Sequence, residues 1–151
     1  MERWSWEVVG RLRRHPWILQ TVSMFGPPAT PNQLAWLEYG LRALGPTPLD
    51  EGEKVSTILL VNAHNFGDLQ FHATGMPTAT HVVGVAPYET LFTRIIDPAR
   101  FPALMAAFAG GGFAESADPA ADRDELYRFG LERILDGVQV LVDGRCDTTE
   151  A

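Results

Sequence analysis

The sequence has one cysteine, one lysine and no long apolar run. Cys146 has no second cysteine to pair with, which excludes an intrachain disulfide and a zinc site built from several cysteines. No stretch approaches the roughly 18 consecutive apolar residues of a membrane span. Residues 1–17 also lack the apolar core of a signal peptide. We therefore expect a cytoplasmic chain with no membrane partner.

Positive charge is scarce as well. Arginine and lysine together number 12 against 19 acidic residues, and the formal net charge is −7. Nucleic-acid binding depends on clustered positive charge. The cluster of Arg11, Arg13 and Arg14 is better interpreted as the last turn of a first helix, where cations complement the helix dipole. Binding of DNA by this chain alone is not expected.

Strand patterns and local catalytic motifs are also missing. No segment alternates apolar and polar residues over the length of a strand. The chain has no G-x-S-x-G, Walker or H-E-x-x-H motif. The glycine run 110–112 follows no strand, so it is interpreted as a loop and not as a phosphate site. No enzymatic activity, cofactor or metal is predicted.

Helix-start signals recur along the chain. Thr30 precedes Pro31 at a first helical position, and Gln33 completes a capping box. Asp50 and Glu53 repeat the capping-box pattern before a long helix. Aspartate followed by proline gives two further starts, the second of them before a helix predicted at 119–143. These patterns predict an all-α fold of about seven helices.

Chain length and composition favour one domain. With 151 residues and 46% hydrophobic content, the chain can bury a proper core. We predict a single helical domain over residues 1–143, followed by a polar tail at 144–151.

The long helix carries an unusual polar stripe. At about 100° per residue, Asn62, Asn65, Asp68 and His72 fall within an arc of roughly 120°. Aliphatic residues share this arc, which is the composition of a small-molecule pocket. Two alternatives stay open: the stripe faces water, or its members satisfy one another and nearby backbone. The predicted ligand-binding residues are Trp17, Asn62, Asn65, Phe66, Asp68, Leu69, His72 and Phe92.

The same helix raises a metal hypothesis and an enzyme hypothesis. His64 and Asp68 are four residues apart, as are Asp68 and His72, and such pairs can share an ion. The two histidines lie about 12 Å apart along the helix axis, too far for all three residues to hold one metal. A rival hypothesis is a small helical enzyme that uses these residues as acid–base groups.

The last helix has glycines at 130 and 137. Glycine costs a helix interior roughly 1 kcal/mol relative to alanine, so this spacing indicates close approach of another helix. A symmetric partner helix is the sharper interpretation, because a wide apolar band on a terminal helix suits an isologous bundle. The predicted homodimer interface comprises Leu126, Tyr127, Gly130, Leu131, Ile134, Gly137, Val138 and Leu141.

The order of segments resembles a known family. The segments are RRHPWILQTV (13–22), TPNQLAWLEYGLRALG (30–45), the long helix at 50–75, RFPALMAAFAG (100–110) and FGLERILDGVQVLV (129–142). Together they resemble the all-helical C-terminal domain of TetR-family transcriptional regulators, and most closely its tetracycline-repressor-like class. The resemblance implies a pocket for a small hydrophobic or aromatic effector and a dimer formed through a four-helix bundle. It places FGLERILDGV at the dimer interface and Asn62, Asn65 and Leu69 at the pocket.

The resemblance also concerns DNA. Family members carry an N-terminal helix-turn-helix domain, whose position on operator DNA changes when the effector binds. This chain contains no such module, so operator DNA is expected as a partner only through an N-terminal domain that is missing here. The remaining alternative is a ligand-free dimerisation module whose polar stripe is satisfied internally.

Overall fold

The computed structural model describes residues 1–18, 30–73, 97–112 and 118–149. Within these ranges the chain forms five α-helices and no strand, which confirms the all-α prediction. The remaining predicted helices, at 15–25 and 82–96, lie mainly or wholly outside the described residues. The helices are α1 (Glu2–Arg14), α2 (Pro31–Leu44), α3 (Glu51–Ala73), α4 (Pro102–Ala109) and α5 (Pro119–Thr149).

Both predicted capping boxes are present. Thr30 Oγ1 accepts a hydrogen bond from the Gln33 backbone N–H at 3.3 Å, and the Thr30 N–H donates to Gln33 Oε1 at 3.1 Å. Asp50 Oδ1 accepts from the Glu53 N–H at 2.8 Å, and the Asp50 N–H donates to Glu53 Oε2 at 2.9 Å. Each box satisfies two of the amide groups that a helix start leaves open, and it fixes where α2 and α3 begin.

The predicted start of α4 is wrong by several residues. Asp97 Oδ1 does accept from the Ala99 N–H at 2.9 Å, but residues 98–100 form only a turn. The helix begins at Pro102, after Phe101 with φ −130° and ψ 54°. A residue before proline is disfavoured in helical geometry, so one helix cannot run from Pro98 through Phe101.

The start of α5 agrees with the prediction, and its end does not. Asp118 Oδ1 accepts from the backbone N–H groups of Ala120 at 3.0 Å and Ala121 at 3.1 Å. The helix then continues to Thr149, through most of the segment predicted as a polar tail. Arg145 pairs with Glu53 in the first turn of α3, and this contact ties the end of α5 to the rest of the chain.

The core lies where α1, α3 and α5 meet. One buried cluster joins residues of all three helices, and a second joins α1 to α3. Burying each Val or Leu side chain stabilises the fold by roughly 1.5–3 kcal/mol. The clusters consist of Val9, Val61, Tyr127 and Leu131, and of Val8, Leu12 and Leu69.

Helix α2 approaches the core through a glycine. A Cβ at Gly40 would lie 3.1 Å from Ile58 Cδ1 on α3 and 3.1 Å from Trp4 Cζ2 on α1. These distances are tighter than ordinary van der Waals contact. Gly40 therefore lets α2 pack against both helices.

The chain divides into two compact units. The first contains Met1–Thr74 and Glu125–Ala151, and the second contains Gly75–Asp124. The single domain predicted over 1–143 stays a prediction. Within the described ranges, no helix combines the length and apolarity needed to cross a membrane. All residues discussed below as a site belong to the first unit.

Candidate functional site

A buried polar network connects α1, α3 and α5. Ser5 Oγ lies 2.9 Å from Asn65 Oδ1 and 2.6 Å from the Tyr127 hydroxyl, and that hydroxyl lies 2.7 Å from Asn65 Oδ1. All three side chains are at most 1% exposed. Each helix contributes one residue, so the network exists only when the three helices are packed together.

The network is incompletely satisfied. Each of its three contacts needs a donated proton. Ser5 and Tyr127 supply one hydroxyl proton each and the Asn65 oxygen can only accept, so at most two of the contacts are hydrogen bonds at one time. The Asn65 amide nitrogen is buried and has no hydrogen-bond partner in the described part of the chain. An unsatisfied buried amide group costs roughly 1–3 kcal/mol.

Burial also changes the acidity of the phenol in this network. Burial raises the pKa of Tyr127 to about 12, because the phenolate would be poorly solvated there. The hydrogen bond with Ser5 acts in the opposite direction. Smaller contributions come from the charges of Asp68, which raises the pKa, and Arg13, which lowers it. Tyr127 is therefore a neutral hydrogen-bond donor at physiological pH.

A partly buried ion pair joins α1 to α3 at a second point. Arg13 Nε and Nη2 donate to the two carboxylate oxygens of Asp68, each at 3.0 Å. The Asp68 side chain is only 4% exposed. The Arg13 guanidinium also lies 5.4 Å from the centre of the Tyr127 ring, within the range of a cation–π contact. Ser5 and Arg13 are separated by about 12 Å along α1, so the helix is held near both ends.

His64 occupies the space beside a glycine of α5. Its ring stacks on the Tyr127 ring at 4.9 Å with an interplanar angle of 18°. Its Nε2 lies 2.9 Å from the Tyr127 carbonyl oxygen, and Nε2 must donate because a carbonyl only accepts. A Cβ at Gly130 would overlap the His64 ring. The glycine therefore makes room for the histidine.

An aromatic cluster lies between α1, α2 and α3. The Trp36 ring centre is 6.3 Å from that of Trp4 and 6.2 Å from that of Phe66. Trp36 Nε1 and Asn62 Oδ1 are both buried, and neither has a hydrogen-bond partner among the residues described. Trp36 thus brings an unused donor to the cluster, and Asn62, four residues before Phe66 on α3, has an unused acceptor.

A largely apolar face runs along α3 and α5. It contains a groove of about 780 Å³, whose lining includes Leu60, Gly137 and Leu141. A Cβ at Gly137 would meet no atom within 4 Å in the described ranges. A second groove of about 410 Å³ includes His64 and Phe129 in its lining. The exposed apolar residues on these two helices are Val55, Leu59, Leu60, Phe71, Leu126, Phe129, Val140 and Leu141.

The sequence matches a family model described as the tetracyclin repressor-like C-terminal domain over residues 7–142. The chain belongs to this family. It is 28% identical over 153 residues to the HTH-type transcriptional repressor DrrR1 of Streptomyces coeruleorubidus. The alignment covers 96% of this chain and 52% of the repressor, so the chain spans about half of that relative's length. No solved structure matches the chain.

The family match confirms the resemblance seen in the sequence. The chain is a regulator domain of the TetR type, a class that is generally non-enzymatic. The two described groups of the rival enzyme hypothesis have partners: His64 donates to the Tyr127 carbonyl, and Asp68 accepts from Arg13. No group of three or more metal-ligating side chains occurs within the described ranges.

The predicted ligand-binding residues of this TetR-type domain do not line one common site in the structure. Asn65 and Asp68 bond to other side chains of the chain, as the internal-network alternative expects. Leu69 is buried in the core, whereas Trp17 is 60% exposed. The side chain of His72 and the whole of Phe92 lie outside the described residues.

Of the predicted ligand-binding residues, Phe66 belongs to the aromatic cluster, and Asn62, four residues earlier on α3, has a buried oxygen without a partner among the residues described. Trp4 and Trp36, which complete that cluster, are not among the predicted ligand-binding residues. The sequence interpretation missed Ser5, the α1 member of the polar network. A serine on the apolar face of the first helix was a signal available in the sequence.

The predicted dimer residues fall into two groups, those buried in the chain's own core and those outside it. Tyr127 and Leu131 are each 1% exposed and belong to the chain's own core, so they cannot contact a partner. Their place in the predicted interface is therefore corrected. Gly130 meets His64 of the same chain. The partner face that stays a prediction on α5 comprises Leu126, Gly130, Ile134, Gly137, Val138 and Leu141.

Proposed function

We propose that this chain is the effector-binding and dimerisation domain of a TetR-family transcriptional repressor. Its effector would be a small hydrophobic or aromatic molecule bound at the aromatic cluster of Trp4, Trp36 and Phe66 and reaching Asn62, which lies four residues before Phe66 on α3. Operator DNA would be bound by an N-terminal helix-turn-helix domain outside this chain. The similarity to a repressor described as HTH-type supports the regulatory part of this proposal.

The unused donor and acceptor carry the effector proposal. Leaving a buried indole N–H or amide oxygen without a partner costs roughly 1–3 kcal/mol each. A ligand with an acceptor facing Trp36 Nε1 and a donor facing Asn62 Oδ1 would satisfy both atoms. The rings of Trp4 and Phe66 would pack against its planar apolar body. Such a mostly apolar site with few polar groups is typical of small-molecule pockets.

The effector proposal is tested by thermal shift and calorimetry. Planar aromatic compounds with a carbonyl acceptor and a hydroxyl donor should raise the melting temperature of the wild-type chain. Trp36→Phe or Asn62→Leu should weaken binding about tenfold, since each removes one hydrogen bond inside an apolar site. Trp17→Phe is the matched control, because Trp17 is largely exposed and outside the cluster. If no compound raises the melting temperature, the proposal fails.

We also propose that the apolar face of α3 and α5 covers the same face of a second copy. Leu60 and Leu141 are exposed and line one groove, and exposed apolar surface of this kind marks interaction sites. A two-fold axis would place the same patch on both copies, as in other isologous dimers. The open space at Gly137 would admit a partner helix.

Sedimentation velocity tests the dimer. Leu60→Asp and Leu141→Asp place a charge on exposed groove residues, and each should shift the chain toward monomer. Leu34→Asp on α2 is the matched control, because Leu34 is also exposed but lies on another helix. A wild-type chain that stays monomeric at tens of micromolar would contradict the proposal, as would dimers that persist in both groove variants.

A further inference from the structure

We propose that the effector presents a hydroxyl group that bridges Asn62 and Asn65 on α3. Ser5 and Tyr127 act as positioning residues for this recognition, because they hold the Asn65 amide. The inference rests on the effector site of the proposed function and specifies the chemical class that the site accepts. The proposed function needs only a donor facing Asn62, whereas a bridging hydroxyl also accepts from Asn65.

A buried donor and a buried acceptor lie one turn apart on α3. Asn65 Nδ2 and Asn62 Oδ1 are both without a hydrogen-bond partner among the residues described. Side chains three residues apart on a helix are neighbours, with Cβ atoms about 5–6 Å from each other. The two groups are complementary, yet they do not bond to each other. One oxygen between them would accept from Asn65 and donate to Asn62, which is the capacity of a hydroxyl.

The orientation of the Asn65 amide is set from its other edge. Asn65 Oδ1 lies 2.9 Å from Ser5 Oγ and 2.7 Å from the Tyr127 hydroxyl, and each hydroxyl can donate its proton to that oxygen. The oxygen edge of the amide therefore faces α1 and α5. The NH₂ group is on the opposite edge of the planar amide, so Nδ2 points away from both hydroxyls. Ser5 and Tyr127 thus act on a ligand through Asn65.

The polar network adjoins the aromatic cluster on two helices. On α1, Trp4 of the cluster directly precedes Ser5 of the network. On α3, Phe66 of the cluster directly follows Asn65. Asn62 is four residues before Phe66, which makes the two side chains neighbours on the helix surface. An aromatic molecule in the cluster would therefore meet both amides with a hydroxyl on its ring.

Calorimetry with matched ligands tests the bridging hydroxyl. The probes are the isomeric hydroxyacetophenones, with the methoxy and amino compounds of the same substitution. The ether has no proton for Asn62, and the aromatic amine is a poor acceptor for Asn65 because its lone pair is delocalised into the ring. At least one hydroxy compound should bind about fivefold or more tightly than both of its analogues. Asn62→Leu should remove the preference over the ether.

The double variant Ser5→Ala, Tyr127→Phe tests the positioning role. Loss of both hydroxyls lets the Asn65 amide turn, so the ratio of the hydroxy and amino affinities should fall toward one. Tyr127→Phe alone should give part of this decrease, and it decides the question if the double variant does not fold. A structural defect would weaken both probes alike, and an unchanged ratio would overturn the positioning role. Asn32→Leu is the matched control, because Asn32 is exposed on α2.

The outcomes separate this inference from the proposed function. Equal affinities of the wild-type chain for the hydroxy compound and either analogue would overturn the bridging hydroxyl and leave the effector site standing. Binding of none of the probes would contradict both the inference and the effector site.

Discussion

His64 and Tyr127 are joined twice, through their rings and through the Tyr127 backbone. The rings stack at 4.9 Å, and His64 Nε2 donates to the Tyr127 carbonyl oxygen at 2.9 Å. The tyrosine hydroxyl meanwhile bonds to Asn65, one residue after His64 on α3. Tyr127 therefore contacts α3 through its ring, its carbonyl oxygen and its hydroxyl group.

We expect Gly130→Ala to destabilise the chain by about 1–3 kcal/mol, because the new methyl group overlaps the His64 ring. Gly67→Ala on α3 is the matched control. A Cβ there meets no described atom within 4 Å, so higher helix propensity should raise stability by up to about 1 kcal/mol. Urea unfolding followed by circular dichroism measures both changes. Equal effects of the two substitutions would contradict the close packing of His64.

We expect Arg13→Ala to cost about 2–4 kcal/mol, since it removes the guanidinium from an almost fully buried carboxylate. Replacing both partners, as Arg13→Met with Asp68→Leu, should recover most of that loss. Arg42→Ala removes an exposed i,i+4 pair with Glu38 and should cost less than about 0.5 kcal/mol. Denaturant midpoints at neutral pH give the comparison. A double variant no more stable than Arg13→Ala would argue against this account.

Stability should fall between pH 10 and pH 12 because of Tyr127. Burial raises its pKa from the ordinary 10.0 to about 12, so folding favours the neutral phenol. This contribution is fully present below pH 10 and is lost as pH rises through the folded-state pKa. The loss amounts to roughly 2–3 kcal/mol. Tyr127→Phe should lack this part of the pH dependence, and identical alkaline unfolding curves for both chains would refute the assignment.

We expect Asp50→Ala to destabilise the chain by about 1 kcal/mol, because it removes the side-chain acceptor of the Glu53 N–H at the start of α3. Asp50→Asn should retain most of the stability, since asparagine caps a helix almost as well. Thermal unfolding measures the difference. A loss of equal size in the asparagine variant would indicate that charge, and not capping, is the relevant property.

Capping chemistry explains which helix boundaries could be predicted. Thr30, Asp50 and Asp118 are followed by the residues that complete local hydrogen bonds, and such bonds form within four residues whatever the rest of the chain does. The last turns of α5 carry a distant contact, between Arg145 and Glu53. No local pattern encodes that pairing, and the sequence interpretation ended the helix too early.

The sequence by itself determined the all-α class, the main helix starts and the membership of the TetR-type family. These properties rest on local capping, apolar periodicity and segment order, and all three depend on residues that are close together in sequence or on their order along the chain. It also marked the long helix as carrying more polar residues than a buried helix needs.

Only the tertiary structure decided what those polar residues do. The helical wheel places Asn62, Asn65 and Asp68 in one stripe, yet their surroundings differ. Asn65 bonds to Ser5 and Tyr127, Asp68 bonds to Arg13, and Asn62 keeps a buried oxygen without a described partner. The reason is physical: a side chain's function depends on what packs against it, and those partners come from helices 55 to 62 residues away in sequence.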